Sequence, residues 1–346
     1  MSDRSPDSLG MWEATLSLPE QIETACNQVL DLSGLPSHDD VENLVILGMG
    51  GSGIAGDITV ALGGPLFPVP VSVVKSYETP AFVGSGSLVF AISFSGETEE
   101  TLSAVEEAYE DGAWVVAITN GGTLASLAKE WEIPLIFVPG SIPQPRAGIG
   151  AMTIPVLTVL EQVGLFKGAK DWISESVSNL VRRRDQIDTN ADITKDIAEK
   201  LNGTIPLIYG ASGIGSVAVD RWKKQINENV KSPAFGGVYP EVCHNELAGW
   251  GLFGDITRQA LSLVQLRAEG NHPQLTRRMN WVAEVMRESV SAVIDVEAQG
   301  ENDLAQLMDL VFLGDVVSLR MANLVQLDPG PIPILNELKN YLKGEA

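Results

Sequence analysis

The sequence predicts an α/β protein with two doubly wound parallel sheets that carry helices on both faces. Short, nearly all-apolar segments alternate with helical segments from residue 44 to residue 138, which is typical of parallel strands buried on both sides. A strand, a turn of small residues and a helix follow one another at 44–62, and the same order returns at 205–229. This faint repeat suggests two related halves with a ligand in the crevice between them.

The individual elements follow from apolar runs, glycines and prolines. Residues 11–32 are expected to form a helical pair or one helix kinked at Pro19, because proline disrupts a helix interior. Further on we expect strands at 44–48, 69–74, 87–93, 113–118 and 134–138, and helices at 53–62, 97–110, 122–130 and 147–166. The second half should hold a helical connection at 171–201, a strand from 205, a helix at 216–229, strands at 260–267 and 290–296, and helices at 273–287, 301–324 and 333–343.

The chain of 346 residues is long enough for two domains with separate cores. We expect a helical segment over 1–40, a first α/β domain over 41–166, connecting helices over 167–202, and a second α/β domain with a C-terminal helix over 203–346.

Composition excludes several classes of partner and site. The formal charge of −22 argues against a nucleic acid or an anionic membrane as partner, because both need clustered Lys and Arg. The charge does not exclude a small phosphorylated ligand, which local donors would have to hold. The only cysteines, Cys26 and Cys243, lack the spacing of a disulfide scaffold or a structural zinc site. Residues 1–7 do not resemble a signal peptide, and no apolar run is long enough to span a membrane, so we expect a cytoplasmic protein.

The first strand runs directly into a turn with four glycines and one serine at 48–53. Such a turn lets backbone N–H groups face a ligand, and the following helix adds a partial positive charge, so a phosphate is the expected guest. Gly48, Gly50 and Gly53 also satisfy G-x-G-x-x-G, a weak signal for a dinucleotide. That interpretation requires an acidic residue about 20 residues later, whereas the second strand is followed by Lys75. A tight turn without a ligand is the third interpretation.

Hydroxyl groups collect where the third strand ends and a helix begins. Ser93, Ser95 and Thr98 lie at this junction, where helix caps and bound anions use the same donors. In a doubly wound sheet, ligands bind at the carboxyl ends of strands. An ordinary capping box, with Ser95 and Thr98 or Glu99 in the first turn, accounts for one serine. It does not account for all three hydroxyls together with the glycine turn.

Through the stretches 48–53 and 93–98 the chain resembles the sugar isomerase (SIS) domain, which carries motifs like both. Three later segments, 141–146, 227–231 and 243–246, match in order the family of bifunctional phosphoglucose/phosphomannose isomerases, so the resemblance covers most of the chain. It implies two SIS domains of the predicted α/β fold.

The resemblance also implies roles for individual residues. The substrate and phosphate loops of the family match Gly50, Gly51, Ser52, Ser93, Ser95 and Thr98. Arg146 matches an arginine that stabilises a developing enediolate, and Glu228 matches the base that moves a proton between C1 and C2. His244 matches the histidine of ring opening, and Lys339 matches a lysine beside the sugar. In relatives the histidine comes from the partner subunit, which implies a homodimer with shared active sites.

The resulting hypothesis is an aldose–ketose isomerase that converts glucose 6-phosphate, mannose 6-phosphate or both into fructose 6-phosphate through a cis-enediol. Neither a metal nor a cofactor is required by this set of groups. The alternatives are a sugar-phosphate-binding SIS regulator without turnover and a nucleotide-dependent dehydrogenase. One residue departs from the family: Ile332 stands before Pro333 where relatives have threonine, and the lost hydroxyl would alter the sugar preference if that position contacts C2.

Overall fold

The computed structural model describes residues 6–28, 32–342 and 344. Its first sheet has five parallel strands in the order β2-β1-β3-β4-β5. The strands are β1 (Asn43–Leu47), β2 (Val71–Val74), β3 (Ser87–Ser93), β4 (Trp114–Thr119) and β5 (Leu135–Phe137). The strand order reverses between β1 and β3, and this reversal leaves a crevice at their carboxyl ends.

Helices cover both faces of this sheet. They are α1 (Met11–Leu16), α2 (Leu18–Gln28), α3 (Gly50–Gly63), α4 (Glu99–Glu110), α5 (Gly122–Glu130) and α6 (Ile149–Val163). In β1, Leu44 and Ile46 join the core formed with α3 and α6, whereas Val45 and Leu47 join the core formed with α4 and α5. Because successive side chains of a strand point to opposite faces, burial on both sides requires the uninterrupted apolar run.

The second sheet has four parallel strands in the order β7-β6-β8-β9. The connecting helices and the elements of this half are α7 (Ala169–Gln186), α8 (Ile193–Leu201), β6 (Ile205–Ala211), α9 (Ile214–Gln225), β7 (Phe235–Tyr239), α10 (Gly254–Ala260), β8 (Leu261–Arg267), α11 (Pro273–Met286), β9 (Val293–Glu297), α12 (Asp303–Leu324) and α13 (Pro333–Leu342). Among the described residues, no helix is both long and apolar enough to cross a bilayer.

The predicted fold class is confirmed, since both sheets are parallel and have helices on each face. The helical stretch at the start forms two helices, α1 and α2, while 29–31 of the range predicted for it lie outside the described residues. The sequence pattern does not predict β7 and α10. β7 contains Gly236 and Gly237, and an added Cβ at Gly237 would lie 2.6 Å from the Tyr209 ring. The predicted domain boundaries at residues 40, 166 and 202 stay a prediction.

α12 contacts helices of both halves of the molecule, since it packs against α1 as well as against the helices of the second half. It is buried along most of its length and packs against α7, α8 and α9. The Trp222 ring of α9 lies over Gly314, where an added Cβ would meet the ring at 2.5 Å, and Trp222 Nε1 donates to the Leu310 carbonyl. Two buried ion pairs, Arg183–Asp309 and Arg221–Asp315, also connect α12 to its neighbours.

Removing one partner of the first ion pair should destabilise the protein strongly. The Arg183 guanidinium bonds both oxygens of Asp309, at 2.8 and 2.7 Å, and both side chains are at least 95% buried. Asp309→Ala leaves that cation buried without its counter-charge, so the free energy of unfolding should fall by about 3–5 kcal/mol in a urea titration. Asp255→Ala, which breaks an exposed pair with Arg258, is the control and should change little. Equal losses of stability in the two variants would contradict the view that the buried pair of Arg183 and Asp309 contributes more to stability than an exposed pair.

Candidate active site

The glycine turn lies at the carboxyl end of β1, where α3 begins at Gly50. A Cβ on Gly53 would approach the Gly48 carbonyl oxygen to 2.5 Å, so the turn can close only without side chains. Gly50 has a φ of +51°, a conformation that glycine adopts without strain. A Cβ on Gly51 would lie 3.3 Å from the backbone nitrogen of Arg146. The glycines therefore let the loop that carries Arg146 approach the start of α3.

The hydroxyl groups connect this turn to the end of β3. The buried Ser52 Oγ accepts a hydrogen bond from the Phe94 amide at 3.2 Å. The buried Ser93 Oγ accepts from the Gly96 amide at 3.1 Å and bonds Thr98 Oγ1 at 2.8 Å. The glycine turn and the end of β3 thus form one hydrogen-bonded corner. In it, the Ser52 and Ser93 hydroxyls fix the conformation of the loop that follows β3.

The outer part of this corner faces solvent. Ser95 is exposed, and its Oγ accepts from the Glu97 amide at 3.2 Å. Thr98 precedes the first residue of α4 without a side-chain cap, so the amides at the start of that helix stay available. Free amides at a helix N-terminus favour a bound anion. The ordinary capping box considered from the sequence does not form with Ser95, because Thr98 occupies the N-cap position.

Arg146 lies in the 3₁₀ turn Pro145–Ala147, and only 3% of its side chain is exposed. Its Nη2 donates to the carbonyls of Pro329 and Gly330 at 2.8 and 2.7 Å, and its Nε donates to Asn229 Oδ1 at 2.8 Å. Its Nη1 lies 3.4 Å from Glu228 Oε2. Burial lowers the pKa of Arg146 from its ordinary value, and the Glu228 carboxylate opposes this effect. The guanidinium stays charged, because arginine titrates far above neutrality.

Glu228 lies in the π-helical turn Ile226–Val230, which extends α9. Single π-helical turns occur often at functional sites. Ile226 and Asn229 are buried in this turn, whereas 31% of the Glu228 side chain is exposed. The carboxylate is therefore beside a buried cation and still open to a substrate.

Lys231 ends this turn in the left-handed conformation, with a φ of +56°. Its Nζ donates to the carbonyls of Asp328 and Pro329, both at 3.0 Å. Burial of the ammonium, with the neighbouring Arg146 charge, lowers the pKa of Lys231. Two cations thus hold the same carbonyl-lined segment that leads into α13.

The structure does not bring His244 and Lys339 to this cluster. His244 follows β7 on an exposed turn, and its ring makes no hydrogen bond within the part of the chain that the structure describes. Lys339 lies on α13, whose residues are all exposed. Both side chains are therefore accessible to a contact outside this chain, and their roles stay predictions, as do those of the other site residues.

The groups that a metal ion or a dinucleotide would need were sought among the described side chains. Within them, no group of three His, Cys, Asp or Glu side chains is placed to hold a metal ion. At the end of β2, where a dinucleotide site would have its ribose-binding acid, Lys75 pairs with Asp57 at 2.6 Å. The dinucleotide interpretation of the glycine turn therefore lacks its second element.

Both halves of the chain match family models, and most of its length matches relatives of known name. The model of the bacterial phospho-glucose isomerase C-terminal SIS domain matches residues 190–342, and the SIS domain model matches residues 39–134. The chain is 37% identical over 343 residues to the bifunctional phosphoglucose/phosphomannose isomerase of Caldicellulosiruptor bescii, covering 96% of this chain and 98% of the relative. It is 35% identical over 306 residues to the protein of the same name from Aquifex aeolicus, covering 88% and 92%.

Solved structures agree on the fold. A hypothetical protein from Thermus thermophilus has a TM-score of 0.74 at 13% identity, covering 97% of this chain and 91% of that chain. At this identity the likeness concerns the fold alone.

Proposed function

Because this chain belongs to the family of bifunctional phosphoglucose/phosphomannose isomerases, we propose that it interconverts glucose 6-phosphate and mannose 6-phosphate with fructose 6-phosphate. The observation that carries the proposal is the pairing of the accessible Glu228 carboxylate with the buried Arg146 guanidinium, 3.4 Å apart. A base and a fixed positive charge side by side are what proton transfer next to a carbonyl requires.

In the proposed reaction, Glu228 removes the proton from C2 of the open-chain aldose. The C–H electron pair forms the C1–C2 double bond, and the carbonyl oxygen at C1 takes up the negative charge. Arg146 stabilises this oxyanion, which becomes a cis-enediol on protonation. Glu228 then returns a proton to C1, while the O2 hydroxyl loses its proton and the C2 carbonyl of fructose 6-phosphate forms. No electrons leave the substrate, so the overall change is an isomerisation.

The phosphate is proposed to bind at the hydrogen-bonded corner between the glycine turn and the start of α4. Ser95 and Thr98 offer hydroxyls there, and the first amides of α4 add a partial positive charge. In a chain of charge −22, these local donors must outweigh the overall field. Short-range hydrogen bonds can do so, because charge effects over longer distances are screened by salt.

Ring opening is assigned to His244 and Lys339 in a homodimer with shared sites. Two apolar surfaces lie exposed close in sequence to these residues: Leu252, Phe253 and Ile256 follow His244, and Ile334, Leu338 and Tyr341 surround Lys339. Exposed apolar side chains that lie next to one another are typical of protein interfaces. A second copy that covers these surfaces would bring the exposed His244 ring to a neighbouring site. A cytoplasmic location fits a hexose 6-phosphate substrate and is part of the same proposal.

Substitution of the base tests the reaction. Glu228→Gln keeps the shape of the side chain but cannot take a proton, so kcat should fall by about 10²–10⁴-fold. The assay follows fructose 6-phosphate formed from each aldose phosphate with EDTA present, and the wild type should remain active on both sugars. Glu288→Gln, an exposed glutamate on the surface, is the control and should keep wild-type kcat. Sugar-phosphate binding without turnover by the wild type would instead indicate a regulator.

Mixing two inactive variants tests the shared site. If His244 acts in the partner's site, a heterodimer of His244→Ala and Glu228→Gln subunits has one intact site. Random exchange of subunits should then restore about a quarter of wild-type activity, since half of the dimers are mixed and each has one working site. Sedimentation measures whether dimers form. Dimers that form without any recovered activity would show that each chain supplies its own histidine.

A further inference from the structure

Arg146 and Glu228 come from different parts of the fold, so contacts between these parts must fix the position of one side chain relative to the other. Arg146 lies in the loop between β5 and α6, next to the first sheet, whereas Glu228 follows α9, which packs on the second sheet. A displacement of about 1 Å at a catalytic group can cost on the order of 100-fold in rate. The contacts that join the two segments therefore bear directly on the proposed reaction.

A directional chain of buried hydrogen bonds runs from α12 to the Arg146 side chain. Ser318 Oγ donates its only hydrogen to the Asp315 carbonyl at 2.7 Å. The same Oγ accepts from Asn229 Nδ2 at 2.9 Å, which turns Asn229 Oδ1 toward Arg146 Nε at 2.8 Å. Ser318 and Asn229 are at most 1% exposed. No water is needed to complete the chain, and the amide has one orientation that satisfies every partner.

The main chain of Arg146 is held by Arg221 of α9, which in turn pairs with α12. Arg221 Nη2 donates to the Arg146 carbonyl at 2.6 Å, and the Arg221 guanidinium bonds both oxygens of Asp315, at 2.8 and 2.5 Å. Asp315 and Ser318 lie three residues apart on α12, so they share one side of that helix. Backbone and side chain of Arg146 are thus both fixed against α12.

These contacts leave one end of the guanidinium for the reaction. The Nε hydrogen bonds to Asn229, and Nη2 bonds to two carbonyls at 2.7–2.8 Å. Among the residues that the structure describes, the contacts of Nη1 are long, 3.4 Å to Glu228 and 3.5 Å to Gln144. A shorter bond to a developing oxyanion can replace a long one at little cost.

We propose that Asn229 and Ser318 are positioning residues that orient the Arg146 guanidinium so that Nη1 faces the Glu228 side of the site. The inference rests on the proposed function, since it gives both residues a role in the same reaction. Neither side chain needs to contact the sugar. Their effect should appear in kcat and kcat/KM, while KM stays close to the wild-type value, because the interaction at stake forms with the transition state.

The test removes the Ser318 hydroxyl and compares it with a matched serine. Ser318→Ala deprives Asn229 of its fixed acceptor, so kcat should fall about three- to thirty-fold with KM nearly unchanged. The control is Ser176→Ala, because Ser176 is fully buried in α7 and its Oγ also donates to a helix carbonyl, that of Trp172, at 2.8 Å. Ser176→Ala should keep wild-type kcat, although it loses the same buried helix bond.

A double-mutant cycle separates positioning from folding. Arg146→Lys removes the Nε donor, so Ser318→Ala should cost no further activity in that background. Equal losses in both backgrounds, or a loss of the same size in Ser176→Ala, would overturn the proposal. Asn229→Ala should lower kcat more than Ser318→Ala; if it does not fold, the Ser318 cycle decides alone.

A readout without turnover keeps this inference distinct from the proposed function. The ¹⁵N–¹H signal of Arg146 Nε, assigned by its loss in Arg146→Lys, should shift and exchange faster with water in Ser318→Ala but not in Ser176→Ala. An unchanged signal would overturn the positioning role even if the enzyme is active. Failure of the wild type to isomerise either sugar would overturn the proposed function. If the Arg146 Nε signal still shifts in Ser318→Ala, the chain of hydrogen bonds to Arg146 would nevertheless be established.

Discussion

The site depends on one constraint: a guanidinium removed from water must have its N–H groups bonded by protein. An unpaired buried charge costs several kcal/mol, so burial of Arg146 is tolerable only with a full set of acceptors. Those acceptors come from three distinct segments, namely the π-helical turn after α9, the carbonyls before α13, and Gln144 beside it in the chain. The need to satisfy one cation therefore brings Arg146 and Glu228, the proposed catalytic groups, together in one place.

The same burial makes the charge effective. Away from water, the attraction between a fixed cation and a developing oxyanion is screened far less than at the surface. Under the proposed function, this is how a chain with 45 acidic and 23 basic residues would hold an anionic substrate. Local groups oriented by the fold would determine binding, because the surface charge has little influence at such short range.

Much of the fold is predictable from the sequence because strands buried on both faces need continuous apolar runs, such as 44–47 in β1 and 88–92 in β3. The sequence did not predict β7, because Gly236 and Gly237 interrupt the apolar pattern of a strand. Its strand conformation depends on packing against Tyr209.

The resemblance to the family predicted Arg146 and Glu228 as site residues, and the structure places them next to each other. The roles of Asn229, Ser318 and Arg221 could not be predicted, because polar residues spaced through long helices gain meaning only when the fold brings them together. His244 and Lys339 lie apart from this cluster within one chain. For His244 the resemblance to the family predicts this separation, since it places the histidine in the partner's site, whereas the sequence does not predict it for Lys339.

The central claim is that a carboxylate accessible to solvent moves the proton between C1 and C2. The most direct measurement converts fructose 6-phosphate in D₂O and determines by NMR the deuterium at C2 of the aldose phosphate formed. The account predicts substantial incorporation there, because a proton held by the partly exposed Glu228 side chain exchanges with solvent before it is returned. Isomerisation with hydrogen retained entirely at C2 would contradict it and would indicate a direct hydride shift instead.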